Sequence, residues 1–397
     1  RSRIGITLEL LNSQTLNFKN IILLSPAHPL RGGIAASSER LAQELQAQGA
    51  KVEIISFRLQ YPGFLFPGKT QYTNDPAPEG LKISTLVNSI NPFNWLKVGN
   101  QIRRAQPDLL IVRYWLPFMG PCLGTIARIA KRNKHTRVIA ITDNVTPHEK
   151  RPGDRLLPRY FVNSADGFVV MSRSVGAELR QFTASKPYHY TPHPIYDSYG
   201  ELVSREAALQ QLKLPENQQY ILFFGFIRQY KGLDLLLRAM ADERVRSLPI
   251  RLIVAGEFYD DDAPYRELIV QHHLTEKVIL HDDFIPNEQV KYYFGAADLV
   301  VQPYRTATQS GISQLAFHFE KPMIVTRVGG LPEIVRHGEE GYVVDVDAAA
   351  IAEAIVDFFE HERQSEMTRN VRVGKARYGW DQMVACIDDL YKQLTNG

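Results

Sequence analysis

The sequence predicts an α/β protein with two doubly wound domains, and three observations support this prediction. The chain has 397 residues, which is more than one ordinary hydrophobic core can organise. Short runs of consecutive apolar residues recur along it, and such runs are typical of parallel strands that helices cover on both faces. Between these runs lie segments with apolar residues three and four positions apart, which is the period of amphipathic helices.

The first domain is predicted from the first half of the chain. Its helices have the expected period: Leu41 and Leu45 lie four residues apart before Gly49, a residue type that commonly ends helices. Its strands are predicted from apolar runs at residues 21–25, 52–57, 109–112, 138–142 and 168–171. Residues 188–200 are rich in Pro, Tyr and His, and we interpret them as a linker.

The second domain is predicted where the alternation of strands and helices starts again. Leu233, Leu236, Leu237 and Met240 have the spacing of one helical face. The strands of this domain are predicted from apolar runs at residues 221–224, 252–255, 278–280, 299–301, 323–326 and 342–344.

The pattern divides the chain into domains of residues 1–197 and 198–376. Residues 377–397 read as a helix with no strand after it, and we expect this helix to dock on the first domain. Doubly wound sheets bind ligands outside the carboxyl ends of their strands. We therefore expect the functional site in the cleft between the two domains.

Composition and charge restrict the class of protein. Hydrophobic residues make up 44% and charged residues 22% of the chain, as in a soluble enzyme. The net charge is +3 and no basic run carries interleaved aromatic residues, so a nucleic-acid partner is not expected. Cys122 and Cys386 are far apart, which disfavours a disulfide framework or a metal site. We find no apolar stretch typical of a signal peptide or a membrane span, and we expect a cytoplasmic protein.

The most informative stretch is residues 303–335, which contains two strand-to-helix turns. Small and hydroxyl residues, Thr308, Ser310 and Gly311, stand where the first helix begins, and the sequence Gly-Gly-Leu-Pro-Glu at residues 329–333 begins the second. Helix N-termini present N–H groups without internal partners and therefore favour anions such as phosphate. Ordinary α/β turns have the same composition, so the pattern alone leaves both interpretations open.

A third turn contributes two cations. Arg228 and Lys231 follow the predicted strand of residues 221–224, at the edge of the sheet where a ligand is expected. Two fixed cations at this position could neutralise a diphosphate without a metal ion. The alternative is a pair of solvated surface charges.

Two turns of the first domain also follow predicted strands. Residues 28–34 contain two glycines, including Gly33, which let backbone approach a ligand, but the Gly-x-Gly-x-x-Gly pattern of nicotinamide sites is absent. Residues 143–149 contain Asp143 and His148, either of which could orient a substrate hydroxyl or move a proton. The alternatives are a plain tight turn, and a capping Asp with a surface His.

An apolar loop is predicted at residues 61–68, which are rich in Pro, Gly and aromatic residues. If exposed, it would suit a hydrophobic acceptor or a membrane surface. The alternative is a loop packed against the core.

In this order, the motifs resemble the retaining glycosyltransferases of family 4, which have the GT-B fold. The resemblance covers nearly the whole chain. It implies two facing Rossmann-like domains and a nucleotide-diphosphate sugar, such as a UDP- or GDP-sugar, held mostly by the second domain. It also implies transfer to a glycan or lipid-linked acceptor with retained anomeric configuration, without a cofactor or a catalytic metal.

The resemblance assigns roles by motif position. Arg228 and Lys231 would grip the diphosphate and stabilise the leaving group, and Asp143 and His148 would lie near the transferred sugar. The donor-binding residues implied are Gly33, Arg228, Lys231, Phe284, Ile285, Ser310, Gly311, Ile312, Gln314 and Glu333. Among these, Phe284 and Ile285 match the segment that borders the nucleobase.

The sequence departs from the family pattern in two places. The family commonly has two glutamates eight positions apart around the turn that in this chain reads Thr-Gln-Ser-Gly, residues 308–311. This chain has Thr308 near the first position and Leu315 or Ala316 at the second. Gln314 is then the residue expected to contact the ribose. Asp143 stands where the family usually has a histidine, and His148 follows five residues later. The chain thus resembles a divergent branch of the family.

Two other functions remain open at this point. A nucleotide-sugar epimerase of the same architecture would need acid and base groups on both sides of the sugar, and the sequence offers only Asp143 and His148. A non-catalytic sugar-binding protein would explain the missing glutamates but not the pair of cations. The resemblance suggests bacterial glycan assembly, with possible peripheral contact at the inner face of the cell membrane.

Overall fold

The computed structural model describes residues 16–62, 70–73, 76–145, 155–308 and 310–396, and it contains two parallel sheets. The first half of the chain forms a seven-stranded sheet and the second half a six-stranded sheet. Helices pack on both faces of each sheet. The predicted α/β fold with two doubly wound domains is therefore confirmed.

Seven strands form the first sheet: β1 Asn20–Leu24, β2 Lys51–Leu59, β3 Lys82–Asn88, β4 Leu109–Tyr114, β5 Arg137–Thr142, β6 Gly167–Val170 and β7 Tyr188–Tyr190. Their order across the sheet is β3-β2-β1-β4-β5-β6-β7, and all neighbours are parallel. The central strands are buried because both faces are covered.

Six strands form the second sheet: β8 Gln219–Phe224, β9 Ile250–Ala255, β10 Val278–His281, β11 Leu299–Gln302, β12 Met323–Thr326 and β13 Gly341–Val344. Their order is β10-β9-β8-β11-β12-β13, again parallel throughout. Every strand predicted in this half of the chain is present.

The helices are α1 Gly33–Ala47, α2 Pro92–Ala105, α3 Gly120–Ala130, α4 Leu156–Val162, α5 Arg173–Arg180, α6 Arg205–Leu212, α7 Leu233–Met240, α8 Glu243–Ser247, α9 Ala263–Gln271, α10 Asn287–Ala296, α11 Gly311–His318, α12 Leu331–Ile334, α13 Ala348–Glu360, α14 Gln364–Gly374 and α15 Trp380–Asn396. On the first sheet, α2 to α5 cover one face, and α1 and α15 cover the other. No helix of the described ranges has both the length and the apolar composition needed to cross a bilayer.

The final helix packs against the first domain. Trp380 at its start donates a hydrogen bond from Nε1 to the carbonyl of Ile195 at 3.0 Å. Further along, the Asp388 carboxylate accepts from the backbone and side-chain nitrogens of Asn17. The helix therefore forms part of the core under the first sheet.

Two strands escaped the sequence prediction, and both lie at edges of the first sheet. β3 is only partly buried, and its sequence is not a continuous apolar run. β7 falls within residues 188–200, so the interpretation of this whole segment as a linker was wrong. Neither strand is continuously buried, so neither has the apolar run from which the other strands were predicted.

Candidate active site

A cavity of about 760 Å³ lies between the two domains at the carboxyl edges of both sheets. Its lining includes turns that follow β1, β4 and β5 in the first domain and β8, β9 and β11 in the second. A parallel sheet brings the ends of such strands to one edge, so residues far apart in sequence meet there. This is the cleft that the sequence predicts as the functional site.

Lys231 is a buried cation in the wall formed by the second domain. It ends a short 3-10 helix, Gln229–Lys231, and its Nζ lies 5.6 Å from the centre of the Tyr304 ring. Burial lowers its pKa from 10.5 to about 8, with a further contribution from the nearby Arg228. Within the described part of the chain, the side-chain amine of Lys231 has neither a hydrogen-bond partner nor a carboxylate partner.

The turn around Lys231 requires a glycine directly after it. Gly232 has φ +70°, and a Cβ at this position would lie 2.0 Å from the carbonyl oxygen of Pro303. The glycine therefore lets the Lys231 turn pack directly against the backbone at Pro303.

Arg228, the other cation of this turn, points elsewhere. Its guanidinium carbon lies 4.4 Å from the centre of the Tyr259 ring, and the side chain lines a neighbouring hollow rather than the cavity. The structure therefore brings Lys231 to the cleft and leaves Arg228 at its rim. Contact between Arg228 and a diphosphate in the cavity would require the guanidinium to leave the Tyr259 ring.

Two helix N-termini meet in the cavity on either side of Tyr196. A Cβ on Gly33, the first residue of α1, would lie 2.9 Å from the Tyr196 hydroxyl, and a Cβ on Gly311, at the start of α11, would lie 2.7 Å from the Tyr196 ring. The hydroxyl also donates to the carbonyl of Gly33 at 3.3 Å. The two glycines thus allow both helix starts, one from each domain, to approach the same tyrosine.

Tyr196 was not predicted as a site residue, because it lies in the segment interpreted as a linker. Its proximity to both glycine-containing turns depends on the path of the chain between domains. The only sequence signal was the unusual density of aromatic residues there.

Residues 310–315, at the start of α11, are divided between the cavity and the core. Ser310, Gly311 and Ile312 line the cavity, and the Ser310 hydroxyl donates to Gln302 Oε1 at 2.6 Å. Gln314 is completely buried and does not line the cavity, and its two amide atoms have no partner among the described residues. Leu315 lines the cavity instead, so the structure does not bring Gln314 to the expected ribose position.

Phe284 and Ile285, which the resemblance places beside a nucleobase, meet an arginine of the first domain that was not predicted as a site residue. Phe284 and Ile285 line the cavity. The guanidinium carbon of Arg31, from the first domain, lies 4.2 Å from the centre of the Phe284 ring. Its Nη2 also reaches Glu257 Oε2 of the second domain at 3.3 Å. The sequence feature that could have indicated Arg31 as a site residue is its position directly before Gly32 and Gly33 in the turn after β1.

Asp143 forms a buried ion pair in the opposite wall. Arg113 donates to it through two nitrogens, with Nε 2.6 Å from Oδ2 and Nη2 2.7 Å from Oδ1. Burial opposes the charge on Arg113, but the Asp143 carboxylate outweighs this effect and raises the pKa of Arg113. Arg113 was missed, although a charged residue inside the apolar run of β4 was a usable signal.

A buried histidine completes this wall. Imidazole Nδ1 of His193 lies 2.7 Å from the carbonyl oxygen of Pro194, and Nε2 lies 3.3 Å from the Tyr196 hydroxyl. Burial, and then the charge on Arg113, lower its pKa to about 4, so the imidazole is neutral near pH 7. His148, the histidine that the sequence singled out, lies outside the described residues.

Glu333 lies away from the cavity, where it joins the two domains. Its carboxylate accepts hydrogen bonds from the backbone nitrogen of Arg173, at 3.2 Å and 3.0 Å, at the start of α5. Nearby, the Thr308 hydroxyl donates to the side-chain oxygen of Asn144, again across the cleft. The structure therefore gives Glu333 an interdomain contact and no position in the cavity lining.

The apolar loop of residues 61–68 is described only at its start. Residues 63–68 lie outside the described residues. Tyr61 is packed, and its hydroxyl accepts a hydrogen bond from Trp115 Nε1 at 2.6 Å.

Solved structures of the same architecture cover nearly the whole chain. Sucrose-phosphate synthase from Thermosynechococcus elongatus aligns with a TM-score of 0.72 at 18% sequence identity, over 95% of this chain and 100% of that chain. The Anabaena protein HepE in complex with UDP-glucose aligns with a TM-score of 0.69 at 16% identity, over 95% and 100%. WaaG, a glycosyltransferase involved in lipopolysaccharide biosynthesis, aligns with a TM-score of 0.65 at 16% identity, over 92% and 99%. The fold is therefore GT-B.

Sequence comparison identifies the family. The model of the glycosyl transferase 4-like domain matches residues 32–194, and the model of glycosyl transferases group 1 matches residues 204–374. D-inositol 3-phosphate glycosyltransferase of Thermobifida fusca is 27% identical over 340 residues, 79% of this chain and 77% of the relative. Its counterpart in Streptomyces scabiei is 27% identical over 391 residues, 91% and 86%. The chain belongs to the family 4 glycosyltransferases.

Proposed function

We propose that this glycosyltransferase moves a sugar from a nucleotide-diphosphate sugar to a glycan or lipid-linked acceptor, with retained configuration and without a catalytic metal. The observation that carries the proposal is Lys231, a buried cation at the cleft with no ion-pair partner among the described residues. Keeping an amine charged without a counter-ion is unfavourable, and an anionic group of the substrate would supply one.

The surroundings of Lys231 favour a diphosphate as that anion. The N-termini of α1 and α11 face the same cavity, and their backbone N–H groups carry partial positive charge. HepE, which has the same fold, binds UDP-glucose. Phe284 lines the cavity, and a nucleobase could stack on its ring in the place that the Arg31 guanidinium now occupies.

Positive charge held in place before the reaction would stabilise the leaving diphosphate. Lys231, and Arg228 after rotation from Tyr259, would oppose the negative charge that develops as the glycosidic bond breaks. This role would require no metal ion. At the other wall, the Asp143 carboxylate, oriented by Arg113, would accept a hydrogen bond from a hydroxyl of the transferred sugar.

A thermal-shift screen against nucleotide sugars tests donor binding first. A ligand at 100 times its dissociation constant stabilises a protein by about 2.7 kcal/mol. Lys231→Ala and Arg228→Ala should each lower turnover by at least about tenfold, a loss of about 1.4 kcal/mol in transition-state stabilisation. Normal turnover in both folded variants would refute the assigned roles, and no shift with any nucleotide sugar would refute the donor class.

Two product measurements separate the remaining alternatives. Proton NMR of the product gives its anomeric configuration, and an inverted configuration would refute retention. Incubation of the donor alone would reveal an epimerase through the appearance of an isomer. Turnover that persists after treatment with a chelator is expected for metal-independent transfer.

A further inference from the structure

Arg31 is a nearly buried arginine that reaches from the first domain to the second. It lies in the turn between β1 and α1, and its Nη2 is 3.3 Å from Oε2 of Glu257, which follows β9. The two side chains are only 10% and 6% exposed. Among the described residues Glu257 has no other ion pair, so the charge of a buried carboxylate is balanced by a contact between the domains.

The same guanidinium covers the ring of Phe284. Its carbon lies 4.2 Å from the ring centre, which is within the range of a cation–π contact. Phe284 is still 41% exposed and lines the cleft, and an aromatic ring in such a place is a stacking surface for flat ligand groups such as nucleobases. A base cannot stack on this face of the ring while the guanidinium is there.

The backbone at Arg31 is held by the first domain. The backbone nitrogen of Arg31 donates to the carbonyl of Gln71 at 3.0 Å, and that of Thr73 donates to the carbonyl of Pro29 at 2.9 Å. Arg31 Nε also donates to the carbonyl of Thr70 at 2.8 Å. Only the end of the side chain therefore crosses to the second domain, and rotation about its own bonds would move it off Phe284 while the turn keeps its shape.

We propose that Arg31, held by Glu257, occupies the position of the nucleobase in the donor-free enzyme, and that a bound nucleotide must displace it. The inference rests on the proposed function, in which the base of the donor stacks on Phe284. Arg31 is then an autoinhibitory contact, because the fraction of molecules with the guanidinium off the ring sets the apparent affinity for the donor. If one molecule in ten is open, the apparent Kd is about tenfold above its intrinsic value.

Displacement and simple charge attraction predict effects of opposite sign. A cation in the wall of the cleft attracts a diphosphate, so removing its charge weakens binding if attraction is its role. If Arg31 instead blocks the base, removing its guanidinium strengthens binding, and only for ligands that carry a base.

Isothermal titration calorimetry with UDP, GDP, ADP and inorganic pyrophosphate tests the proposal. Arg31→Met should lower the Kd of the nucleoside diphosphate that binds best by about tenfold, and binding that appears only in this variant also supports displacement. Pyrophosphate has no base and should gain nothing. Arg31→Lys keeps the charge without the planar guanidinium, so it should give a smaller gain in the same direction.

A double-mutant cycle tests the part played by the ion pair. In Glu257→Gln the guanidinium is no longer held over Phe284 by a charged partner. Adding Arg31→Met to this variant should therefore strengthen nucleotide binding by less than about threefold, compared with about tenfold in the parent protein.

Arg40 provides a matched control. Like Arg31, it contacts both a carboxylate and a ring: its Nε is 2.9 Å from Asp197 Oδ1, and its guanidinium carbon lies 5.5 Å from the centre of the Trp380 ring. Neither Asp197 nor Trp380 lines the cavity. Arg40→Met should therefore leave nucleotide affinity unchanged. Thermal unfolding of each ligand-free variant shows that it is folded, and a purely structural role for Arg31 would lower the melting temperature without strengthening nucleotide binding.

Four results would overturn the inference. These are unchanged or weaker nucleotide binding in both Arg31 variants, an equal gain for pyrophosphate, an equal gain in Arg40→Met, and the full gain in the Glu257→Gln background. In each case nucleotide binding by the parent protein would leave the proposed donor class standing. If no nucleoside diphosphate binds to the parent protein or to the Arg31 variants, the donor class itself is refuted, and the inference falls with it.

Discussion

Each wall of the cleft contains a buried cation, and the two walls differ in whether that cation is paired with a carboxylate. In the first domain, Arg113 is held by both carboxylate oxygens of Asp143 at 2.6 Å and 2.7 Å. In the second domain, Lys231 has no counter-ion within the described ranges, and its pKa has fallen to about 8. Both cations are buried beside the same cavity.

The two cations therefore differ in what they can do. Arg113 holds another residue of the site in place, whereas Lys231 is available to bind an anionic ligand. A paired and hydrogen-bonded ion such as Arg113 has already recovered its lost hydration, so it can hold Asp143 in one orientation. An unpaired buried amine such as Lys231 is unfavourable in the free protein and gains most when an anion arrives. The comparison leads to three predictions.

Breaking the Arg113–Asp143 ion pair should have the largest effect on stability. Arg113→Met leaves the Asp143 carboxylate buried without its main partner, and loss of one member of such a pair costs about 3–5 kcal/mol of unfolding free energy. Urea denaturation near pH 7 measures the change. Arg244→Met is the matched control, because Arg244 forms a similar two-pronged pair with Asp242 on the exposed surface and its loss should change stability little.

Arg113→Met combined with Asp143→Asn should recover part of this loss, since no buried charge then remains uncompensated. If Arg113→Met alone is as stable as the parent protein, the ion pair contributes nothing to the unfolding free energy.

Removing the unpaired cation, Lys231, should change the unfolding free energy in the opposite direction and stabilise the protein. The pKa of Lys231 is about 8 when folded and 10.5 ordinarily, so the folded protein holds this proton less tightly than the unfolded chain does. Keeping the charge at pH 7 therefore costs the folded state about 3 kcal/mol. Lys231→Met should raise the unfolding free energy by up to that amount at pH 7. The gain should shrink as the pH rises from 8 towards 10.5, where the parent protein loses the charge.

Lys321 offers a control for this result. Burial also lowers its pKa to about 8, but it does not line the cleft. Lys321→Met should therefore also be stabilising while leaving donor binding intact. A loss of stability in Lys231→Met at pH 7 would mean that the amine has a compensating partner in the free protein.

The smallest expected effect is on the pH profile. If donor binding requires protonated Lys231, kcat/KM should fall about tenfold between pH 7 and pH 9, as a group of pKa about 8 loses its proton. Steady-state kinetics across this range measure the decline. In Lys231→Arg the side chain stays charged, so any remaining activity should be flat over the same interval. If kcat/KM of the parent protein does not decline between pH 7 and pH 9, a residue other than Lys231 stabilises the charge on the leaving group.

Much of the fold could be predicted because the signal is local. The apolar runs at β1, β4, β5, β8 and β12 record burial on both faces, and the helices between them carry their own period. β3 and β7 could not be predicted in this way, since both strands are only partly buried and their sequences lack the run.

The candidate site was predictable in part. Gly33, Ser310 and Lys231 were chosen from strand-to-helix turns, and the structure brings all three to one cavity. Arg31, Arg113 and Tyr196 were missed, because each gains its position from contacts with residues remote in sequence. Glu333 and Gln314 had suitable motif positions but face the interdomain contact and the core, respectively.

By itself, the sequence determined two α/β domains, a cleft at the carboxyl edges of their strands, and the helix starts and cations available there. Periodicity and turn composition encode these features within a few residues of each other. Only the tertiary structure decided that Lys231 is buried and Arg228 is not part of the cavity lining, that Asp143 is held by Arg113, and that Tyr196 joins two helix starts. These facts depend on burial and on distances between remote segments, and the packing of the two domains sets both.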